Sequence, residues 1–123
     1  MQNAASAYAS VSRQSGDPRE LEASLLVKAA AKLQTIKESW DDTKSSLDEA
    51  LTYNKRLWGI FAAAMAEPDN PLPLEVKNNI ASLSVFILDR TIDVEWYPAP
   101  EKLAVLIDIN REVAAGLRGL EVA

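Results

Sequence analysis

Apolar side chains recur at intervals of three and four residues in four separate segments of the chain, which is the spacing of one face of an α-helix. The four stripes are Leu21, Leu25, Ala29, Leu33, Ile36 and Trp40; Leu47, Leu51, Asn54, Trp58, Phe61 and Met65; Val76, Ile80, Leu83, Ile87, Thr91 and Val94; and Leu103, Leu106, Asn110, Val113 and Leu117. No hairpin dipeptide and no alternating run indicates a β-strand. The pattern therefore predicts an all-α fold, a helical bundle of four main helices.

Proline and capping residues mark the boundaries between these predicted helices. Asp17 suits the N-cap of the first helix and Pro18 its first position, and Glu20 completes a capping box. Three prolines within residues 68–73 exclude a helix between the second and third stripes. The Tyr-Pro-Ala-Pro segment at residues 97–100 separates the third stripe from the fourth.

The boundaries predict one helical domain over residues 17–123, preceded by residues 1–16 as an N-terminal arm or a short helix. Near the other end, Gly116-Leu117-Arg118-Gly119 matches the GxxG spacing of an RNA-binding KH loop. That loop requires flanking strands and a position between helices. We therefore interpret Gly116 and Gly119 as the end of the last helix.

The second and third predicted helices are apolar on more than one side. Residues 57–66 include no charged side chain, and residues 83–88 are nearly as apolar. Consecutive helical positions point in different directions, so these helices need cover on several faces, from their own fold or from another chain. We expect them to form a central pair with a groove beside it, and the first and fourth helices to be amphipathic flanks.

The residue types present leave little room for catalysis. The 123 residues include no cysteine and no histidine, and only four glycines. This excludes disulfides, thiolate nucleophiles, imidazole bases, Cys/His zinc sites and a glycine-rich phosphate loop. Acidic pairs such as Asp41-Asp42 and Asp48-Glu49 are typical of helix caps and solvated surface. We expect no catalytic, cofactor-binding or metal-binding residues, and no enzymatic activity.

Net charge and the length of the apolar segments bear on partners and location. The net charge is −5, and the residues after position 60 carry ten acidic and five basic side chains. A phosphate backbone would be repelled by this half of the chain. The longest apolar stretch has about ten residues, whereas a membrane span needs about twenty, and Met1–Ala4 does not resemble the start of a signal peptide. We expect a soluble cytoplasmic protein.

Two asparagines and two aromatic residues have open interpretations. Asn54 and Asn110 lie within apolar stripes, and a buried amide costs free energy unless it is hydrogen-bonded. Each is either an anchor within the chain, for Asn54 to the backbone of residues 68–73, or a group that recognises a partner's backbone. Trp58 and Phe61, on the most apolar helix, are either core residues or anchors for a partner.

Several segments resemble the FlaF family of flagellar biosynthesis regulators, which is typical of alphaproteobacteria. Residues 53–61 read Tyr-Asn-Lys-Arg-Leu-Trp-Gly-Ile-Phe, and residues 68–73 read Pro-Asp-Asn-Pro-Leu-Pro. Residues 80–86 and 106–117 continue the likeness, and Tyr8 together with residues 18–22 begins it. The combination of Asn-x-x-Leu-Trp with Asn-x-Leu-Pro carries most of the specificity.

The resemblance implies a cytoplasmic, non-enzymatic, all-helical protein that acts in flagellum biogenesis and bacterial motility. The implied role is a secretion chaperone and regulator that binds monomeric flagellin before export, with an FlbT-like regulator as a second candidate partner. A dry groove could shelter an amphipathic flagellin helix. The alternative is a post-transcriptional regulator that acts directly on flagellin mRNA. The residues expected to bind flagellin are Asn54, Trp58, Phe61, Ile80, Leu83 and Phe86.

Overall fold

The computed structural model describes residues 18–122, and over these residues the chain is helical without any strand. In chain order the elements are α1 (Pro18–Glu38), the single turn α2 (Trp40–Thr43), a 3-10 turn (Lys44–Ser46), α3 (Leu47–Ala66), α4 (Leu74–Trp96), a second 3-10 turn (Pro100–Lys102) and α5 (Leu103–Val122). The predicted all-α bundle of four main helices is confirmed. The predicted arm over residues 1–16 and the Asp17 cap lie outside the described residues.

The order in which the helices pack differs from the predicted one. α1 packs most extensively against α5 and also contacts α3, which in turn packs against α4, whereas α4 barely contacts α5. The central helices are therefore α1 and α3, so the prediction that α4 belongs to the central pair is wrong. Seven residues of α1 are buried but only four of α4. The extra apolar residues of α4 lie on its outer surface.

The stripes differ in how well they mark the core. All six residues of the α3 stripe are buried. The buried face of α1 is instead centred on Ala23, Leu26 and Ala30, while Leu21 and Leu25 are half-buried. The reason is that α1 is rich in alanine, which is small enough to face either the core or solvent. Its apolar pattern therefore fits two neighbouring faces of the helix.

The α5 helix continues through both of its glycines to Val122, so the predicted helix end at Gly116 and Gly119 is wrong. Neither glycine has the positive φ angle of a glycine that terminates a helix. A Cβ atom added at either position would meet nothing within 4 Å. Both glycines are thus exposed helical positions, and their helical backbone is not the GxxG loop of a KH module.

Asn70 organises the proline-rich connector between α3 and α4. Its Nδ2 donates to the carbonyl oxygen of Ala64 at 3.0 Å, and its Oδ1 accepts from the backbone N–H of Leu72 at 3.0 Å. The carbonyl oxygen of Asn70 accepts from Lys77 Nζ at 3.3 Å. These bonds satisfy a carbonyl at the end of α3 and hold Leu72 against the core, where it is buried.

Replacing Asn70 with alanine should lower the free energy of unfolding by about 1–2 kcal/mol, because two side-chain hydrogen bonds are lost at about 1 kcal/mol each. Urea denaturation followed by circular dichroism measures the change. The matched control is Asn78→Ala, at a solvent-exposed position of α4. This substitution should leave the stability unchanged or raise it slightly, because alanine is the better helix former. Equal denaturation midpoints for the two variants would contradict the assigned role of Asn70.

Candidate functional site

A buried polar network joins α1, α3 and α5. Trp58 Nε1 donates to Asn110 Oδ1 at 2.9 Å, and Asn110 Nδ2 donates to Asn54 Oδ1 at 2.7 Å. Asn110 Nδ2 also lies 3.4 Å from the carbonyl oxygen of Leu26. All four residues are fully buried. Asn54 and Asn110 are thus anchors within the chain, and the partner of Asn54 is Asn110 rather than the backbone of residues 68–73.

Three of the residues predicted to bind a partner lie in this interior. Trp58 and Phe61 are each 1% exposed, and their rings meet edge to face with centroids 5.9 Å apart. Asn54 is 0% exposed. In the folded chain these side chains offer no surface to a partner, because α3 turns them towards α1 and α5.

The other three predicted residues lie on α4, and two of them face α5. Ile80 and Leu83 line a groove of about 250 Å³ between the two helices, which we call the α4–α5 groove. Phe86 lies one turn beyond Leu83, is 39% exposed, and has the Arg90 guanidinium 5.7 Å from its ring centre. The groove is lined by Val76, Asn79, Ile80 and Leu83 of α4 and by Glu112, Val113, Gly116, Leu117 and Leu120 of α5.

The α4–α5 groove exists because α4 packs on α3 and leaves a gap towards α5. Its lining is mainly aliphatic, and the polar side chains in it are Asn79 and Glu112, both solvent-exposed. Gly116 leaves the α5 backbone uncovered along one wall. Such a groove can take apolar side chains of a partner helix, while the polar groups at its edge can fix the helix's orientation.

A second apolar surface lies on the side of α4 that faces away from the core. We call it the α4 outer face, and it comprises Ala81, Val85, Leu88, Ile92 and Trp96. Val85 is 64% exposed, and Leu88 and Ile92 are each 45% exposed. The hydrophobic pattern of the sequence was not used to predict this surface, although the spacing of four, three, four and four residues could have revealed it.

Few other groups stand out chemically among the described residues. Residues 18–122 contain no cluster of acidic side chains that could hold a metal ion. None of the helices in this part of the chain is long and apolar enough to cross a membrane. Partial burial raises the pKa of the Tyr53 hydroxyl, because burial disfavours the phenolate form. The Lys32 ammonium lies 5.2 Å from the centre of the same ring.

A family model described as flagellar protein FlaF matches residues 4–117. The chain belongs to the FlaF family. No curated protein and no solved structure matches it significantly. The resemblance carried by residues 53–61 and 68–73 is therefore confirmed, and the structure gives those residues physical roles. Asn54 and Trp58 belong to the buried network, and Asn70 orders the connector.

Proposed function

We propose that this FlaF-family chain binds flagellin before export and supports its secretion, thereby linking flagellin synthesis to flagellum assembly. The observation that supports the proposal most directly is the α4–α5 groove, an apolar channel between two helices. Flagellin termini are amphipathic helices that aggregate or polymerise when free. A groove of this kind can shelter the apolar face of one such helix until export.

The groove suits a helix for two reasons. Leu83 on α4 and Val113 on α5 are half-buried and supply the accessible aliphatic surface of the two walls, whereas Ile80 and Leu117, at 4% and 3% exposed, are buried beside them. Gly116 has open space where a Cβ would be, which allows the backbone of a bound helix to come close. Each buried CH₂ of the bound helix would contribute about 0.8 kcal/mol.

Filling the groove at Gly116 should separate binding from folding. Gly116→Leu places an aliphatic side chain in the groove and should weaken flagellin binding about tenfold or more, equivalent to about 1.4 kcal/mol. The same change should stabilise α5, because leucine is a better helix former than glycine by up to about 0.8 kcal/mol. Isothermal titration with monomeric flagellin measures the binding, and thermal unfolding measures the stability.

The matched control is Gly119→Leu, one turn further along α5 and outside the groove lining. It should gain similar stability and keep the affinity of the unmodified chain. Equal flagellin affinity for the two glycine variants would overturn the assignment of flagellin to the α4–α5 groove. Absence of flagellin binding by the unmodified chain would overturn the proposed function itself.

Direct action on flagellin mRNA has less physical support. The helices that form the groove belong to the acidic half of the chain, and Glu112 lies in the groove itself. A site for the RNA backbone needs a concentration of basic side chains, and its affinity falls steeply with salt. Titrating the chain with flagellin mRNA at physiological salt and without flagellin tests this alternative. We expect no specific binding.

A further inference from the structure

The α4 outer face is an apolar surface that the described residues leave uncovered. Val85, Leu88 and Ile92 are each 45% exposed or more, and Trp96 at the end of the row is 75% exposed. They follow one another along a single helix, so the exposed area is continuous rather than scattered. Continuous apolar area of this kind on a small domain marks an interaction surface.

The spacing along this face is that of a helix-pairing seam. Ala81, Val85, Leu88 and Ile92 are separated by four, three and four residues, which is the a/d alternation of a heptad repeat. Asn78 and Glu95 continue the same alternation at either end. The apolar seam is therefore bounded by a polar position on each side, which limits it to four apolar positions.

The seam is complementary to itself in an antiparallel arrangement. If a two-fold axis passes between residues 86 and 87, Val85 of one copy faces Leu88 of the other, and Ala81 faces Ile92. Each contact then occurs twice, as two-fold symmetry requires. Ala81, the smallest side chain of the seam, meets the large side chain of Ile92. The two helices can therefore stay at a constant distance along the seam, without a gap at either end.

The charges beside the seam favour the same orientation. Lys77 lies near the start of α4 and Glu95 near its end, on the flank that faces α3. In this register an antiparallel pair places Glu95 of one copy opposite Asn78 of the other and next to its Lys77, whereas a parallel pair would place the two Glu95 carboxylates opposite each other. Glu95 is 40% exposed and its pair with Lys55 is long, at 3.7 Å, so its carboxylate is accessible to a second copy.

The neighbouring surface of α3 leaves room for a second helix. Gly59 and Ala62 form, with Val85 and Leu88, part of the wall of a groove of about 270 Å³ between α3 and α4. A Cβ atom at Gly59 would meet nothing within 4 Å. Helices pack with axes 8–10 Å apart, and small residues beside a seam permit the closer end of that range.

We propose that the chain forms a homodimer through the α4 outer face, with the two α4 helices antiparallel. The α4–α5 groove lies on the other flank of α4, so each copy in the dimer keeps that groove open. Self-association and flagellin binding therefore use different surfaces. Substitutions on the seam test the first, and Gly116→Leu in the groove tests the second.

The test uses the full chain and two single substitutions on the seam, Val85→Lys and Leu88→Glu. Light scattering of the unmodified chain, from low to several hundred micromolar, should show the mass rising from 13.5 kDa to twice that value. Each variant alone should need at least about tenfold more protein to dimerise, because a charge then faces an apolar side chain. Val27→Lys on α1, an apolar residue that is 39% exposed and lies outside both the seam and the α4–α5 groove, should dimerise as the unmodified chain does.

Mixing the two seam variants tests the register. In the mixed pair the introduced lysine faces the introduced glutamate, and the remaining Val85 faces the remaining Leu88, so the mixture should recover the dimer mass. A mass of 13.5 kDa at every concentration of the unmodified chain would overturn the proposal. So would dimers that the seam variants leave unaltered, or a mixture that stays monomeric. Loss of flagellin capture by Val85→Lys, with the unmodified chain monomeric, would assign this face to flagellin instead.

Discussion

Replacing Trp58 with alanine should lower the free energy of unfolding by about 4 kcal/mol, a large part of the stability of a domain of this size. The indole is 1% exposed and packs edge to face on Phe61. Its removal leaves a cavity between α1, α3 and α5, where close-packed side chains relax only in part. It also leaves Asn110 Oδ1 without the hydrogen bond that Trp58 Nε1 donates.

The measurement is chemical denaturation at low protein concentration, where the proposed dimer would add nothing to the apparent stability. Trp96→Ala is the matched control, because Trp96 is 75% exposed and its replacement should change the free energy of unfolding by about 0.5 kcal/mol or less. Comparable losses for the two tryptophans would mean that Trp58 does not have the core position described above.

The sequence predicts the helices well and their packing order poorly. Periodicity is a property of one helix, so the six stripe positions of α3 could be predicted without reference to any neighbour, and all six are buried. Which helix lies at the centre depends instead on how closely two surfaces can approach. The alanines of α1 allow that approach to α5, and an alanine carries no strong signal in a hydrophobic pattern. The branched residues of α4 contribute more strongly to the hydrophobic pattern, but several of them lie on the protein surface rather than in the core.

The interior of the candidate site was predicted in kind but not in detail. An asparagine in an apolar stripe must be hydrogen-bonded, and this much follows from the sequence. The partner of Asn54 is Asn110, 56 positions away in the sequence. This pairing depends on how α3 and α5 are rotated and positioned along their axes, which the pattern of one helix does not contain. The α4–α5 groove is a gap between helices, and no single segment of sequence encodes a gap.

The residues that identify the family are not the residues best placed to meet a partner. Asn54 and Trp58 are fully buried, and Asn70 acts on the connector. These residues secure the bundle and the angle at which α4 leaves α3. Both apolar surfaces include residues of α4, the helix that the connector positions. Under the proposed function the family motif therefore acts indirectly, by holding α4 where both of its flanks are accessible.

Replacing Asn110 with alanine should lower the free energy of unfolding by about 3 kcal/mol, because each buried polar group left without a partner costs about 1–3 kcal/mol. Two groups lose their partner in this variant, the Nε1–H of Trp58 and the Oδ1 of Asn54. Neither can reach water, since both side chains are fully buried.

Asn54→Ala should cost less, about 1 kcal/mol, although the residue type and burial are the same. Among the described residues Asn54 Nδ2 already lacks a hydrogen-bond partner, so its removal relieves a penalty. The Asn110 amide group then keeps its contact with the Leu26 carbonyl oxygen. Urea denaturation of both single variants and the double variant measures this asymmetry. We expect the double variant to lose less unfolding free energy than the sum of the two single losses. The reason is that each single substitution already removes the same Asn54–Asn110 hydrogen bond. Equal losses for the two asparagines would show that Asn110 is not the centre of the network.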